Sequence, residues 1–334
     1  MRELIEKIEN TASSTDFSGV VSLYREGETL YSKGFGYRDV KNEIPNNKDT
    51  IFGIASGTKF FTALGIGKLI DQGKLSLESK MKEVFPENTG FIDENATVLQ
   101  LLSHTSGIFD YYDEEIDQDY DNFSVEIPWC KLETPSDYYP LFKNEKMKFK
   151  AGERFSYSNG GYVFLGILIE KITGMLYRDF MAEHVLKPAN MTHSGFFAFN
   201  DLPANTANGY FEDGKTANIF QLPIRGGGDG GMYTNSEDLL NLWNNLFSNK
   251  ILSPELTKIY LETHHDFGDG FGYSCGMYKK QDNSAFFVPG GDAGVGFLSR
   301  YLPNEKITIN VLSNITNGEE EMTDIILDNL DLLK

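Results

Sequence analysis

The coarse pattern of apolar and polar residues at the two ends of the chain predicts short strands separated by turns, whereas the centre has helical or irregular patterning. Near the N-terminus, the segments at 19–24 and 30–37 predict a hairpin around the turn Glu26-Gly27-Glu28. Four more strands are predicted near the C-terminus, at 271–278, 285–288, 295–301 and 306–312. Helices are predicted at 1–14 and, from the spacing of apolar residues between Met322 and Leu333, at 319–333.

Strands at both ends and a helical centre predict a discontinuous α/β fold with an inserted domain. We expect residues 1–60 and 224–334 to form the α/β domain, an antiparallel sheet flanked by the N- and C-terminal helices. Residues 61–223 are expected to form the inserted, mainly helical domain. The functional site is expected in the cleft between these two parts.

The net charge of −19 argues against binding to nucleic acid or to an anionic membrane surface, because both need basic patches. The first fourteen residues lack the apolar core of a signal peptide, and no stretch reaches the length of a transmembrane helix. We therefore expect a cytoplasmic protein, in which Cys130 and Cys275 form no structural disulfide. A small molecule is the expected partner, and the composition leaves the oligomeric state open.

Ser56 and Lys59 are the first candidate catalytic residues. An apolar extended segment precedes Ser56 and an apolar helix follows Lys59, so the spacing of three places both side chains on one helix face. A desolvated lysine can take the proton of a serine, and the helix N-terminus favours an oxyanion. Ser79-Lys80-Met81-Lys82 has the same spacing in a polar stretch. The alternative for Ser56 is a helix N-cap.

A second candidate segment, Tyr157-Ser158-Asn159, precedes another apolar helix. Its phenol is a possible general base, and its amide can bond to a lysine or a substrate. Tyr120-Asp121-Asn122 and Tyr233-Thr234-Asn235 fit the same pattern, the first in an acidic loop and the second before a helix. His104 lies in a further segment, Leu101 to Ile108, that closes a predicted helix.

Together and in this order, the Ser56, His104 and Tyr157 segments resemble the serine β-lactamase and penicillin-binding protein superfamily. The resemblance is closest to its class C β-lactamase, esterase and D-aminopeptidase branch and covers nearly the whole chain. It implies a β-lactamase/transpeptidase-like fold without a cofactor or metal, in which Ser56 forms an acyl-enzyme. It further implies that Lys59 and Tyr157 share proton removal and that Asn159 orients Lys59 and the substrate. His104 is expected to be a hydrogen-bonded structural residue.

The third motif of this superfamily is altered here. The resemblance implies a strand with Lys or His, then a hydroxyl or small residue, then Gly, and this chain has Val288-Pro289-Gly290. Gly290 is retained, whereas the cation and hydroxyl that help hold a substrate carboxylate are replaced. The resemblance also implies an oxyanion hole of backbone N–H groups at Ser56 and Gly291. Pro289 lacks an N–H and is predicted to lie on an edge strand.

These features predict a serine hydrolase of esters or amides with weak or no β-lactamase activity. One alternative is a true β-lactamase or D,D-peptidase in which Arg225 or Arg300 supplies the missing cation. Another is a catalytically weakened binding or regulatory protein that keeps the fold and the serine.

Two further segments have competing interpretations. Gly272 to Gly276 matches the Gly-x-Ser-x-Gly elbow of α/β-hydrolases, but its surroundings predict that Ser274 lies inside a strand. The run from Asp110 to Asp121 has seven acidic residues and is expected to be a solvated loop or part of the cleft rim.

Overall fold

The computed structural model describes residues 1–116, 119 and 122–333. Tyr120 and Asp121 of the alternative tyrosine motif lie outside the described residues. The strands are β1 (Gly19–Arg25), β2 (Glu28–Phe35), β3 (Tyr37–Asp39), β4 (Ile44–Pro45), β5 (Phe52–Gly53), β6 (Tyr233–Thr234), β7 (His265–Asp266), β8 (Phe271–Tyr273), β9 (Tyr278–Lys280), β10 (Phe286–Asp292), β11 (Val295–Leu302) and β12 (Ile307–Ser313).

Eight of these strands form one antiparallel sheet in the order β2-β1-β12-β11-β10-β9-β8-β7. The first and last segments of the sheet meet near one edge, where β1 pairs with β12 from Gly19↔Ser313 to Arg25↔Ile307. Two small sheets, β3 with β4 and β5 with β6, lie apart from it. The predicted antiparallel sheet built from both ends of the chain is therefore confirmed.

The helices are α1 (Arg2–Ser14), α2 (Thr58–Asp71), α3 (Met81–Val84), α4 (Val98–Leu102), α5 (Tyr139–Phe142), α6 (Asn159–Thr173), α7 (Tyr177–Met181), α8 (Ser236–Phe247), α9 (Pro254–Leu261) and α10 (Glu320–Leu327). Helices α1 and α10 cover one side of the sheet through an apolar cluster that includes Leu4, Ile8, Met322 and Ile326. Helices α2 and α6 belong to the larger core, and most of their residues are buried. The division of the chain at residues 60 and 223 remains a prediction.

The predicted strand at 271–278 is wrong, because the segment forms two strands, β8 and β9, joined by a tight turn. Gly276 in that turn has φ +81°, and a Cβ there would lie 2.8 Å from the Cβ of Ala63 in α2. Ser274 thus lies in a hairpin connection rather than inside a strand. The predicted helix at 319–333 also ends early, since α10 stops at Leu327 and a short 3₁₀ turn, Leu330–Leu332, follows.

The prediction that Pro289 lies on an edge strand is wrong for β10 as a whole, because β10 lies between β11 and β9 in the sheet, but Pro289 itself has a paired strand on one side only. Strand β10 pairs with β11 along its whole length, but with β9 only at Phe286 and Phe287. From Val288 onward, the other side of β10 is therefore open, beside the segment that contains Ser56. No helix among the described residues has both the length and the apolar character needed to cross a bilayer.

Candidate active site

A short 3₁₀ turn, Ala55–Gly57, presents Ser56 at the entrance to α2. Ala55 has φ +43°, in the left-handed region that alanine rarely adopts. Such a conformation costs on the order of 1–3 kcal/mol and persists when surrounding contacts hold it. One such contact is the 2.8 Å bond from Gly57 N to Ile54 O. The N-cap of α2 is Gly57, so the interpretation of Ser56 as its N-cap is wrong.

Lys59 connects Ser56 to the rest of the site. Its buried Nζ, with the side chain 1% exposed, donates to Ser56 Oγ at 2.8 Å, to Asn159 Oδ1 at 2.7 Å and to the carbonyl of Asp229 at 2.9 Å. Burial lowers the pKa of Lys59 below its ordinary 10.5, although nearby carboxylates, Asp229 first among them, oppose this shift. A lowered pKa increases the fraction of neutral amine that can accept a proton.

Tyr157 completes the group around Ser56. The Lys59 Nζ lies 4.8 Å from the centre of the Tyr157 ring. Burial, with a smaller contribution from Glu114, raises the pKa of Tyr157 well above 10, although a hydrogen bond with the Ser56 side chain acts in the opposite direction. Tyr157 is therefore a neutral phenol in the resting site, suited to donate a proton, whereas Lys59 is suited to accept one.

Asn159 holds Lys59 in place. Its Oδ1 accepts from Lys59, and its Nδ2 donates at 2.9 Å both to the carbonyl of Tyr112 and to Glu114 Oε1. Its backbone N donates to the buried Asp110 carboxylate at 2.8 Å. Both amide hydrogens of Asn159 thus bond within the protein. The geometry fits orientation of Lys59 better than contact with substrate.

His104 is a buried structural residue, as predicted. Its Nδ1 accepts from the backbone N of Ser158 at 2.9 Å, so the proton of the neutral ring lies on Nε2, which is 3.0 Å from the Tyr273 hydroxyl. Burial lowers its pKa well below 6.5, which keeps the ring neutral. These bonds connect the loop before α6 to the sheet.

Gly290 allows β10 to approach the Ser56 segment. A Cβ on Gly290 would lie 2.2 Å from the carbonyl oxygen of Ile54 and 2.9 Å from the backbone N of Gly57. Gly290 is buried against that segment, whereas Gly291 lines the cleft together with Ser56. The structure therefore brings the two predicted oxyanion-hole residues, Ser56 and Gly291, to one cavity.

Gly290→Ala is expected to destabilise the protein by roughly 1–3 kcal/mol, because the added methyl group must push β10 away from the Ser56 segment. The displacement should also lower the rate of ester hydrolysis. Urea unfolding and initial rates measure the two effects. Gly227→Ala is the control, since a Cβ there would lie 3.7 Å from its nearest neighbour, an ordinary contact. Wild-type stability and rate in Gly290→Ala would contradict the role given to this glycine.

The cleft at Ser56 has an acidic lining. Its charged lining residues, among those the structure describes, are Glu114, Asp229 and Asp292, with no arginine or lysine. Sequence reasoning missed Asp229 and Asp292 as site residues. A signal was available, because each acid lies beside glycines in a segment already singled out, Arg225 to Met232 and Val288 to Pro303.

The other sequence candidates lie elsewhere. Ser79 bonds to Ser76 in an exposed turn, and Tyr233 belongs to the small β5–β6 sheet. Arg225 donates to the carbonyl of Phe196 at 2.5 Å, and the Arg300 guanidinium lies 5.1 Å from the centre of the Phe287 ring. Neither arginine lines the Ser56 cleft. At the near end of the acidic run, Asp110 is buried and Glu114 lines the cleft, so this part is cleft wall rather than a solvated loop.

Comparison with known proteins agrees with this geometry. The family described as Beta-lactamase matches residues 4–333. The crystal structure of a penicillin-binding protein from Bacillus halodurans superposes with a TM-score of 0.90 and 34% identity, over 97% of this chain and 99% of that one. A D-amino acid amidase from Ochrobactrum anthropi shares the fold, with a TM-score of 0.80 and 22% identity over 100% of this chain and 99% of that chain.

Among curated relatives, protein flp of Staphylococcus aureus strain N315 is 27% identical over 314 residues, which is 89% of this chain. The match spans only 59% of the length of flp. The family match covers almost the entire sequence, and the solved relative at 34% identity aligns over nearly all of both chains. This chain therefore belongs to the beta-lactamase family of serine hydrolases.

Proposed function

We propose that this protein hydrolyses esters or amides through an acyl-enzyme on Ser56. The observation that carries the proposal is the 2.8 Å bond between the buried Lys59 Nζ and Ser56 Oγ. In the first step, Lys59 takes the Ser56 proton while Oγ attacks the substrate carbonyl. The neutral phenol of Tyr157 then donates its proton to the leaving oxygen or nitrogen, and the C–O or C–N bond breaks.

The remaining steps use the same groups. Backbone N–H groups of Ser56 and Gly291 stabilise the negative charge that develops on the carbonyl oxygen. Proton transfer from the Lys59 ammonium to the Tyr157 phenolate restores both groups after acylation. In deacylation, the neutral Lys59 amine takes a proton from water through the Tyr157 hydroxyl while the water oxygen attacks the acyl carbonyl. Lys59 then returns a proton to Ser56 Oγ by the same route as the acyl C–O bond breaks, which releases the acid and Ser56.

The acidic lining of the cleft favours substrates other than carboxylate-bearing β-lactams. Val288 and Pro289 offer neither a cation nor a hydroxyl, and Glu114, Asp229 and Asp292 line the same cleft. A substrate carboxylate would meet repulsion there. The alternative with a relocated arginine is disfavoured for Arg300, which lies outside the lining of this cleft among the described residues. Arg225 lines an adjoining cavity that shares Asp229 and Asp292 with the cleft.

Nitrocefin is therefore expected to be a poor substrate relative to an ester without a carboxylate, such as p-nitrophenyl acetate. A charge-assisted hydrogen bond contributes about 1.5–3 kcal/mol, so its absence should lower kcat/KM by roughly ten- to a hundredfold relative to a family member that has the cation. Initial rates for nitrocefin on this protein and on a family member that has the cation, each normalised to the rate with p-nitrophenyl acetate, provide the comparison. Turnover of nitrocefin at the level of an ordinary β-lactamase would contradict this account of the altered motif.

Labelling with a fluorophosphonate, followed by peptide mapping, distinguishes an enzyme from a binding protein that keeps only the fold. We expect a single adduct on Ser56, since the reagent requires an activated serine. The segment around Ser79 provides an internal control, because its serine has the same spacing to a lysine but lies in a turn where its hydroxyl bonds to Ser76. An unlabelled Ser56 in folded protein would favour the weakened binding protein.

A further inference from the structure

The N-terminus of α6 is held by the buried carboxylate of Asp110. This residue is 6% exposed, and its Oδ2 accepts from the backbone N of Asn159 at 2.8 Å. Its Oδ1 accepts from the backbone N of Gly160 at 2.7 Å and from that of Tyr112 at 3.2 Å. The first N–H groups of a helix have no partner within the helix, and a negative charge beside them is favourable. Asp110 therefore fixes the place at which α6 begins.

Gly160 allows the Asp110 segment to approach α6 closely. A Cβ on Gly160 would lie 2.5 Å from the carbonyl oxygen of Phe109 and 3.2 Å from Asp110 Oδ1. The two segments are thus in contact through backbone atoms, and no side chain separates them. A shift of the carboxylate would therefore be passed directly to the first turn of α6.

Two ion pairs hold the residues after Asp110 against the segment that leads into α6. Asp113 Oδ2 lies 2.6 Å from Lys148 Nζ. Both carboxylate oxygens of Glu115 accept from the Arg154 guanidinium, at 2.6 and 2.9 Å. Two-point contacts of this kind fix orientation as well as distance. The segment that carries Asp110 is therefore anchored on both sides of the start of α6.

From Asn159 the hydrogen bonds continue to the proposed nucleophile. Asn159 Oδ1 accepts from Lys59 Nζ at 2.7 Å, and the same amine lies 2.8 Å from Ser56 Oγ. Asn159 is thus bonded to Asp110 through its backbone and to Lys59 through its side chain. A shift of about 1 Å in a positioned catalytic group can lower a rate on the order of 10²-fold. The position of the Asp110 carboxylate therefore bears on the activation of Ser56.

We propose that Asp110 is a positioning residue for the hydrolysis and acts through Asn159 on Lys59. This inference rests on the proposed function, because it concerns the activation of Ser56 in the same site. The carboxylate holds the first turn of α6 so that Asn159 Oδ1 meets the Lys59 amine. Both carboxylate oxygens are needed, since each accepts from a different backbone N–H of that turn.

Asp110→Asn tests this role with a side chain of nearly the same shape. An amide has one acceptor oxygen, so in either orientation its NH₂ group faces a backbone N–H that the carboxylate bonds. With p-nitrophenyl acetate at about pH 8, we expect kcat to fall roughly ten- to a hundredfold while KM stays close to the wild-type value. At that pH the wild-type carboxylate is ionised, because burial raises the pKa of Asp110 to about 7. Asp110→Ser, which keeps one acceptor, takes the place of Asp110→Asn if the latter does not fold.

Asp238→Asn is the control for the loss of a buried charge. Asp238 is 1% exposed, and its Oδ2 accepts from the backbone N of His193 at 2.8 Å. It is not among the described residues that line the Ser56 cleft. Its substitution should leave kcat near the wild-type level.

A double-variant comparison separates positioning from a general effect on the fold. Asp110→Asn should lower the kcat of Asn159→Ala much less than that of the wild type, because the contact through which Asp110 acts is already lost. A wild-type kcat in folded Asp110→Asn, or its full loss repeated in the Asn159→Ala background, would overturn the inference and leave the proposed function standing. No hydrolysis by the wild-type protein, with no adduct on Ser56, would overturn both.

Discussion

Ser56→Ala is expected to lower ester hydrolysis by roughly 10⁴-fold or more and to abolish labelling by a fluorophosphonate. The expectation follows from the geometry, since Ser56 Oγ is the hydroxyl that the buried Lys59 amine contacts. Removal of the Oγ leaves no atom to form the acyl-enzyme, although the cleft and the backbone N–H groups remain. Initial rates with p-nitrophenyl acetate and mass spectrometry of the labelled protein measure the two effects.

The matched control is Ser274→Ala, which removes the serine of the Gly-x-Ser-x-Gly sequence. Ser274 is buried in the turn between β8 and β9, and its Oγ lies 3.2 Å from the carbonyl of Met277. Its loss should leave both hydrolysis and labelling close to the wild-type level. Near-normal turnover in Ser56→Ala, together with inactive Ser274→Ala, would show that Ser274 is the nucleophile.

Lys59→Ala and Tyr157→Phe are each expected to lower kcat/KM by roughly 10²–10⁴-fold, the typical effect of losing a positioned acid or base. Because the two groups pass protons to each other through one site, the double variant should lose less than the product of the single losses. Activity should also rise with pH until Lys59 is deprotonated, at a pH below 10.5, because burial lowers the pKa of this amine. Rate measurements on all three variants and a wild-type pH profile test these expectations.

Two substitutions separate these losses from a general effect on the fold. Lys68→Ala removes a lysine from the same helix, one that bonds to the carbonyl of Ile251. Tyr260→Phe removes a buried hydroxyl that donates to the carbonyl of Ala63. Both should keep most of the activity. A wild-type rate in Tyr157→Phe would show that Tyr157 has only a packing role.

The fold was largely predictable because its signals are local. Short, mainly apolar segments bounded by turn residues identified β1, β2, β11 and β12, and the antiparallel sheet with flanking helices followed from their position along the chain. The strand prediction failed at Ser274 because a turn forms there at Gly276, which has φ +81° and leaves no room for a Cβ beside Ala63 of α2. Ala63 is far from Gly276 in sequence, so the local pattern around Ser274 did not show this close approach.

In the candidate site, too, the residues predicted from the sequence are those with a local signal. Ser56 and Lys59 are three positions apart, and Asn159 lies two positions beyond Tyr157, so short spacing was enough to propose them. The acidic lining was not predictable at that level. Asp229 is 170 positions from Lys59, yet its carbonyl accepts a bond from the lysine amine, and its carboxylate faces the same cleft. Charges supplied by separate segments add up only after the chain has folded.

The pairing of β1 with β12 also affects how the chain is made. Ser18 and Asn314 share a hydrogen bond across 296 positions of sequence, at the junction of these two strands. During translation, β1 and β2 therefore leave the ribosome long before β12 exists, and one side of β1 has no native neighbour. Unpaired strand edges recruit other chains. The nascent protein thus depends on delayed folding, or on a chaperone over that edge, until its last strand emerges.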